Sequence, residues 1–102
     1  MLFYDPLLSA TDTMSCATCH QLDRSFSSQM DFDNGINGLP RSRHATSIIN
    51  AAWMTSFFWD GRALSLEDQV LDVLSTHGEF EGALDRLLAD LNASDIYPNL
   101  FK

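Results

Sequence analysis

The chain has 102 residues, enough for one small domain with one core and too few for two. Its 45% hydrophobic and 20% charged residues are those of an ordinary globular domain and not of a disordered chain. Fourteen acidic against six basic side chains give a formal charge of -8, and no basic cluster exceeds Arg41-Ser42-Arg43, which argues against nucleic acid and suits a small cationic protein partner.

No stretch approaches the ~18 apolar residues of a membrane-spanning helix, so no membrane span is expected. The opening Met1-Leu2-Phe3-Tyr4-Asp5-Pro6 lacks the basic segment and apolar stretch of an export signal. Residues 1–12 read as a lead-in that packs Leu2, Phe3, Leu7 and Leu8 on the core. Thr13 to Leu22 reads as a short helix or turn carrying both cysteines, and Asp33-Asn34-Gly35-Ile36-Asn37-Gly38-Leu39-Pro40 as turns. Ala45 to Met54 predicts a short helix with Ile48, Ile49 and Ala52 on one side, ahead of the aromatic cluster Phe57-Phe58-Trp59 and a turn at Asp60-Gly61-Arg62.

The clearest helix starts at Ser65, a capping residue followed three positions later by Asp68, with Glu67 near the positive helix end. Leu66, Val70, Val73 and Leu74 give it an apolar stripe. A further helix, about Glu81 to Leu91, is predicted to bury Leu84, Leu87, Leu88 and Leu91 and to end near Asn92. Ser94 can cap a last short turn before Pro98. No strand pattern competes, so the expected class is all-α with long loops.

Cys16-Ala17-Thr18-Cys19-His20 is the C-x-x-C-H pattern of c-type haem attachment, in which two thiols bond the porphyrin edge and the next residue's imidazole ligates iron. Two intervening residues let one turn present both sulfurs together. The alternatives are a redox-active thiol pair, which would want a βαβ context, and a zinc site, for which His44 and His77 could complete four ligands at a spacing that matches no common finger. A domain this small has little surplus stability, so a bound haem would be structural as well as functional. Haem attachment implies an exported, periplasmic setting. With no export signal in view, the expectation is an incomplete N-terminus or a fragment of a larger gene product.

Around that motif the chain resembles the N-terminal haem domain of the bacterial di-haem cytochrome c peroxidase and MauG family. Leu2 to Ser9 is similar to the family's opening "LFxDPxLS", Ser15 to His20 to its "SCATCH", and "RHATSIINAA", Arg43 to Ala52, to "RNxPxLLNAA". "FWDGRA", Phe58 to Ala63, matches outright; Leu66 to Gln69 resembles "LEEQ", Gly78-Glu79-Phe80 stands at "xEM", and Tyr97 to Phe101 resembles the domain's close.

The resemblance implies a cytochrome c-like single haem domain over residues 1–102, half of a two-domain di-haem enzyme. Its one covalent haem c would be held by Cys16, Cys19 and His20, with His20 the iron ligand. It implies that hydrogen peroxide is reduced here with electrons from a second haem domain or a small electron-donor protein. Trp59 would carry electrons between haems, where an unrelated chain would use such an aromatic to fill core beside Phe57 and Phe58. Glu79 and Gln69 would line the distal side, the carboxylate moving a proton between the peroxide oxygens and the amide orienting them; the alternative is two solvated polar residues on a helix face. His44 stands where the family has an Asn that helps hold calcium, which argues against calcium here. Phe80 replaces a Met, and Ile36 stands near the distal His of the classical peroxidases. That leaves His44 and His77, then Met54 and Met30, as candidates for the sixth iron position, with a five-coordinate iron favoured. The competing function is a mono-haem electron carrier with that position filled; an apo interaction module is a third.

Overall fold

The computed structural model describes residues 1–76 and 83–102. Four α-helices carry the described chain: α1 (Cys16–Cys19), α2 (Leu66–Thr76), α3 (Ala83–Ala93) and α4 (Tyr97–Leu100). Single 3-10 turns stand at Leu2–Tyr4, Pro6–Leu8, Leu22–Arg24 and Ala51–Trp53. Extended pairing among the described residues is limited to isolated bridges, Gln21 with Ser27, Asn34 with Pro40 and Phe57 with Ala63. The class is therefore all-α with long loops, as the sequence predicts.

Short-range polar contacts shape the lead-in. Asp5 accepts from the Leu7 amide at 2.9 Å and Pro6 supplies the fixed φ of a first helical position. Ser9, fully buried, donates its hydroxyl to Pro6 O and accepts from the Thr13 and Met14 amides at 3.1 and 3.2 Å. That reversal drops Leu8 into the core and delivers the chain to α1. At the start of α2, Ser65 Oγ accepts from the Asp68 amide at 3.0 Å, the cap its sequence called for.

Leu8, Leu74 and Leu87 form the buried cluster, with Leu2, Cys16, Val73 and Leu91 packed on it. The first haem-motif cysteine thus rests on the same apolar cluster that joins α2 to α3. Two polar clamps close the unit across long stretches of sequence. Arg86 donates to Ala10 O at 2.9 Å, Asp12 at 2.8 Å and Asp90 at 2.8 Å. The Tyr97 hydroxyl donates to Asp5.

Three expectations are corrected. Residues 45–54 do not form a helix; only Ala51–Trp53 makes a 3-10 turn, and Ile48, Ile49 and Ala52 are exposed. The backbone there is claimed elsewhere: Ala45 N donates to Asp33, Ser28 N donates to Ala45 O, and Asn50 sits at φ 62°, off any right-handed helical path. On α2 Val70 is exposed, and on α3 Leu84 and Leu88 are exposed while Leu87 is buried. Residues along a helix turn by about 100°, so a narrow contact with Leu8 and Leu74 covers Leu87 and Leu91 and leaves Leu88 outside it. The last helix begins beyond Ser94, which accepts from the Ile96 amide at 3.2 Å, and Pro98 lies inside its first turn.

Truncating the centre of the cluster should be costly. Leu87→Ala is expected to lower unfolding free energy by about 2–5 kcal/mol in a denaturant titration, against well under 1 kcal/mol for the exposed Leu88→Ala. The Tyr97 hydroxyl, then the Leu7 amide, hold the Asp5 carboxyl below its ordinary value. A depressed carboxyl stabilises above its unfolded value and loses that contribution as acid protonates the folded state. Tyr97→Phe should therefore lower the melting temperature at pH 7, and the difference from the parent chain should shrink as acid takes the pH below the ordinary carboxyl range.

Candidate haem-binding site

α1 is built from local bonds. The Ser15 amide donates to Thr18 Oγ1 at 3.0 Å, the Thr18 amide to Ser15 O at 3.0 Å, and the His20 amide to Cys16 O at 2.9 Å. One helical turn so carries Cys16 and Cys19, both free thiols and half-buried, and leaves His20 at its C-terminal edge.

The His20 ring is then fixed from behind. Its Nδ1 lies 3.0 Å from Phe26 O, which leaves Nε2 as the nitrogen available to a metal. Phe26 presents that carbonyl because the loop 21–27 closes on itself: the Phe26 amide donates to Gln21 O at 2.8 Å and the Gln21 amide to Ser27 O at 3.2 Å. Ser25 and Phe26 both hold φ 57°, a left-handed pair that non-glycine residues adopt at a cost of ~1–2 kcal/mol each. The Phe3 ring borders the same imidazole at 6.4 Å between centroids, and the Phe26 ring lies 6.0 Å from that of Phe3.

A cavity of about 560 Å³ opens beside this turn. Its wall takes Cys19 and His20 from the motif, Asp33 and Arg41 to Ile48 from the long loop, Ala51 and Met54, the aromatic run Phe57-Phe58-Trp59 with Asp60 and Arg62, and Leu66, Gln69 and Val73 from α2. Much of the lining is apolar yet open to solvent: Met54, Leu66, Ile48 and Trp59 are all exposed. A wall of exposed apolar side chains around a thiol and an imidazole, with the second thiol beside it, fits a planar, largely apolar group bonded at one edge and ligated on one face.

The protonation of the thiols argues for the same occupant. Burial, then the negative charge of Asp33, pushes the Cys19 thiol up to about 11, and burial raises Cys16 as well. A redox-active pair needs the opposite, a lowered thiol in an electropositive setting. A zinc site needs four donors, and His77, one of the two histidines that would complete it, lies outside the described residues.

Trp59 and Gln69 line this cavity with Cys19 and His20, while Cys16 stands beside it on the core. Trp59 is 63% exposed, so it does not fill core; Phe57 does, at 8%. His44 and Met54 also face the cavity, and His44 lies 6.5 Å from Trp59 between ring centroids. Met30 is exposed, and Ile36 is half-buried in the turn between Asp33 and Pro40, neither of them on the wall. Glu79, Phe80 and His77 lie outside the described residues. The sequence does not place Arg41, Arg43 or the buried Asp33 at the site; Asp33 reads there as one residue of an Asp-Asn-Gly turn but ties the loop by accepting from the Ala45 amide. The Phe26 carbonyl, a backbone group, has no sequence signature either.

The family model for di-haem cytochrome c peroxidase matches residues 1–102. The chain belongs to the di-haem cytochrome c peroxidase family. It is 37% identical over 101 residues to methylamine utilization protein MauG of Methylorubrum extorquens, covering 99% of this chain and 29% of that protein. It is 38% identical over 68 residues to cytochrome c peroxidase Ccp of Escherichia coli K12, covering 67% of this chain and 15% of that one. Among solved structures, a MauG-like protein associated with microbial copper homeostasis superposes with a TM-score of 0.86 at 30% identity, over 98% of this chain and 30% of its own. The chain thus spans no more than about three-tenths of the length of these relatives. Haem c is the cofactor this family implies.

His20→Gly should remove the native Soret band while mass spectrometry still finds haem bonded through two thioethers; Cys16→Ala or Cys19→Ala should leave at most one thioether and a poor haem yield. An unchanged spectrum in His20→Gly would make His44 or another side chain the ligand.

Proposed function

We propose that residues 1–102 form a single cytochrome c-like haem domain, the peroxide-side half of a two-domain di-haem enzyme. It reduces hydrogen peroxide with electrons from a second haem domain or a small electron-donor protein. The observation that carries this is the single cavity shared by Cys19, His20, Gln69 and Trp59, a ligating imidazole, a polar amide and an exposed indole together. No described helix is long and apolar enough to cross a membrane, and covalent haem attachment favours the periplasm as the setting.

Cys16 Sγ and Cys19 Sγ would hold the haem edge and His20 Nε2 its iron. Bound haem supplies the redox centre for peroxide. Gln69, on the cavity side of α2, offers a donor at Nε2 and an acceptor at Oε1 that orient a small hydroperoxide. The Glu79 carboxylate takes a proton from one peroxide oxygen and returns it to the other. Trp59, open to solvent at the cavity mouth, brings electrons in from a partner. The acidic surface, at a formal charge of -8, suits a basic electron donor.

The second reading, a mono-haem electron carrier, draws on His44, which lines the same cavity and could fill the sixth position. The ferric absorption spectrum separates the two: high-spin for an open site, low-spin for a filled one. In stopped-flow mixing with peroxide, Glu79→Gln should slow the first step by about 10²- to 10⁴-fold at unchanged haem content. Trp59→Phe should spare that step and slow reduction by a carrier added afterwards. A Glu79→Gln chain that reacts as fast as its parent removes the distal base and leaves the electron carrier as the better account.

A further inference from the structure

We propose that Arg43 sets how readily the Trp59 indole gives up an electron. The proposal rests on the reading of Trp59 as an electron relay and adds the group that tunes it. The Arg43 guanidinium carbon lies 5.7 Å from the centroid of the Trp59 ring, within the range of a cation–π contact. Such a contact favours the neutral ring, whose face is electron-rich. It opposes an indole that has lost an electron, because a second positive charge then develops against the first.

The neighbouring pair shows what is particular here. Arg62 stacks on Phe58 at 3.6 Å, but its charge is met by Asp60 at 3.1 Å and Asp72 at 2.7 Å. It serves as a staple from the aromatic turn to α2. Among the described residues Arg43 makes no ion pair, whereas Arg62 makes two. The placement of Arg43 is also fixed from below. The buried Asp33 accepts from the Ala45 amide, Ala45 O accepts from the Ser28 amide at 3.1 Å, and Ser47 donates its hydroxyl to Ser25 O at 2.6 Å. The segment that presents Arg43 to Trp59 is thereby stitched to the loop that orients His20. A less easily oxidised Trp59 resists idle oxidation at its exposed position, and once oxidised draws more strongly on an incoming donor.

The test oxidises Trp59 directly. In ferric holoprotein carrying Trp53→Phe, since Trp53 is 84% exposed and would compete, a photogenerated ruthenium(III) tris-bipyridine complex removes one electron from the indole and returns to ruthenium(II). The indole then releases its Nε1 proton to water, and the neutral radical is followed by its transient absorbance and located by peptide mass. Arg43→Gln should raise the oxidation rate constant about two- to fivefold, the span of an exposed cation–π contact. Arg43→Lys should stay near the parent. Arg24→Gln removes an equal charge from an exposed residue that is not on the cavity wall and corrects for attraction of the cationic oxidant. An Arg43→Gln rate no faster than that of Arg24→Gln overturns the proposal. So does an Arg43→Gln chain whose haem content or Soret band changes while the Trp59 rate does not, since Arg43 would then be holding the cofactor. The relay itself fails separately, if Trp59→Phe leaves reduction by a carrier unchanged.

Discussion

The contact between His20 Nδ1 and Phe26 O governs how this domain can use His20. A histidine at the edge of a single helical turn would otherwise sample several rotamers. Here the carbonyl fixes the tautomer and the ring plane together, so that one nitrogen faces the cavity and the other is committed to the loop. The cost sits in the backbone, where Ser25 and Phe26 both take left-handed conformations to bring that carbonyl into position. The hydroxyl of Ser47 on Ser25 O then ties the strained corner to the opposite wall.

Core and cavity are two sides of the same helix. On α2, Leu74 enters the cluster with Leu8 and Leu87, Val73 touches both cluster and cavity, and Leu66 and Gln69 face the cavity. Cys16 packs on that cluster while Cys19, one turn later, lines the cavity. A shift of α2 that loosened the core would therefore also move the polar amide relative to His20. In so small a unit, the cysteine pair and the apolar packing share residues.

What was legible in the sequence is what depends on neighbours along the chain. The C-x-x-C-H turn, the Ser65 cap and the turn before Gly61 are each set by residues within a few positions of one another. Residues 45–54 misled because their partners, Asp33 and Ser25, lie 12 and 22 positions away from the residues they bind, and periodicity carries no trace of such bonds. Likewise, an apolar stripe says that a helix face is sticky without saying what covers it, so the sequence puts Leu84 and Leu88 in a core that does not reach them. At the site, the motif fixed the cysteines and His20, and the family resemblance pointed to Trp59 and Gln69. The sequence shows Arg43 only as part of a short basic cluster, since its contact with Trp59 has no pattern until the ring it faces is located in space.

The two long clamps have a consequence for the order of assembly. Contacts that shape the attachment turn span at most six residues, whereas Tyr97 reaches Asp5 across 92 positions and Arg86 reaches Asp12 across 74. Closing a loop costs conformational entropy that grows with its length, and contacts between distant positions form late. The nascent chain can therefore present both thiols and the imidazole on a formed turn before its ends have met. The ends of the chain can then close on a turn that is already formed.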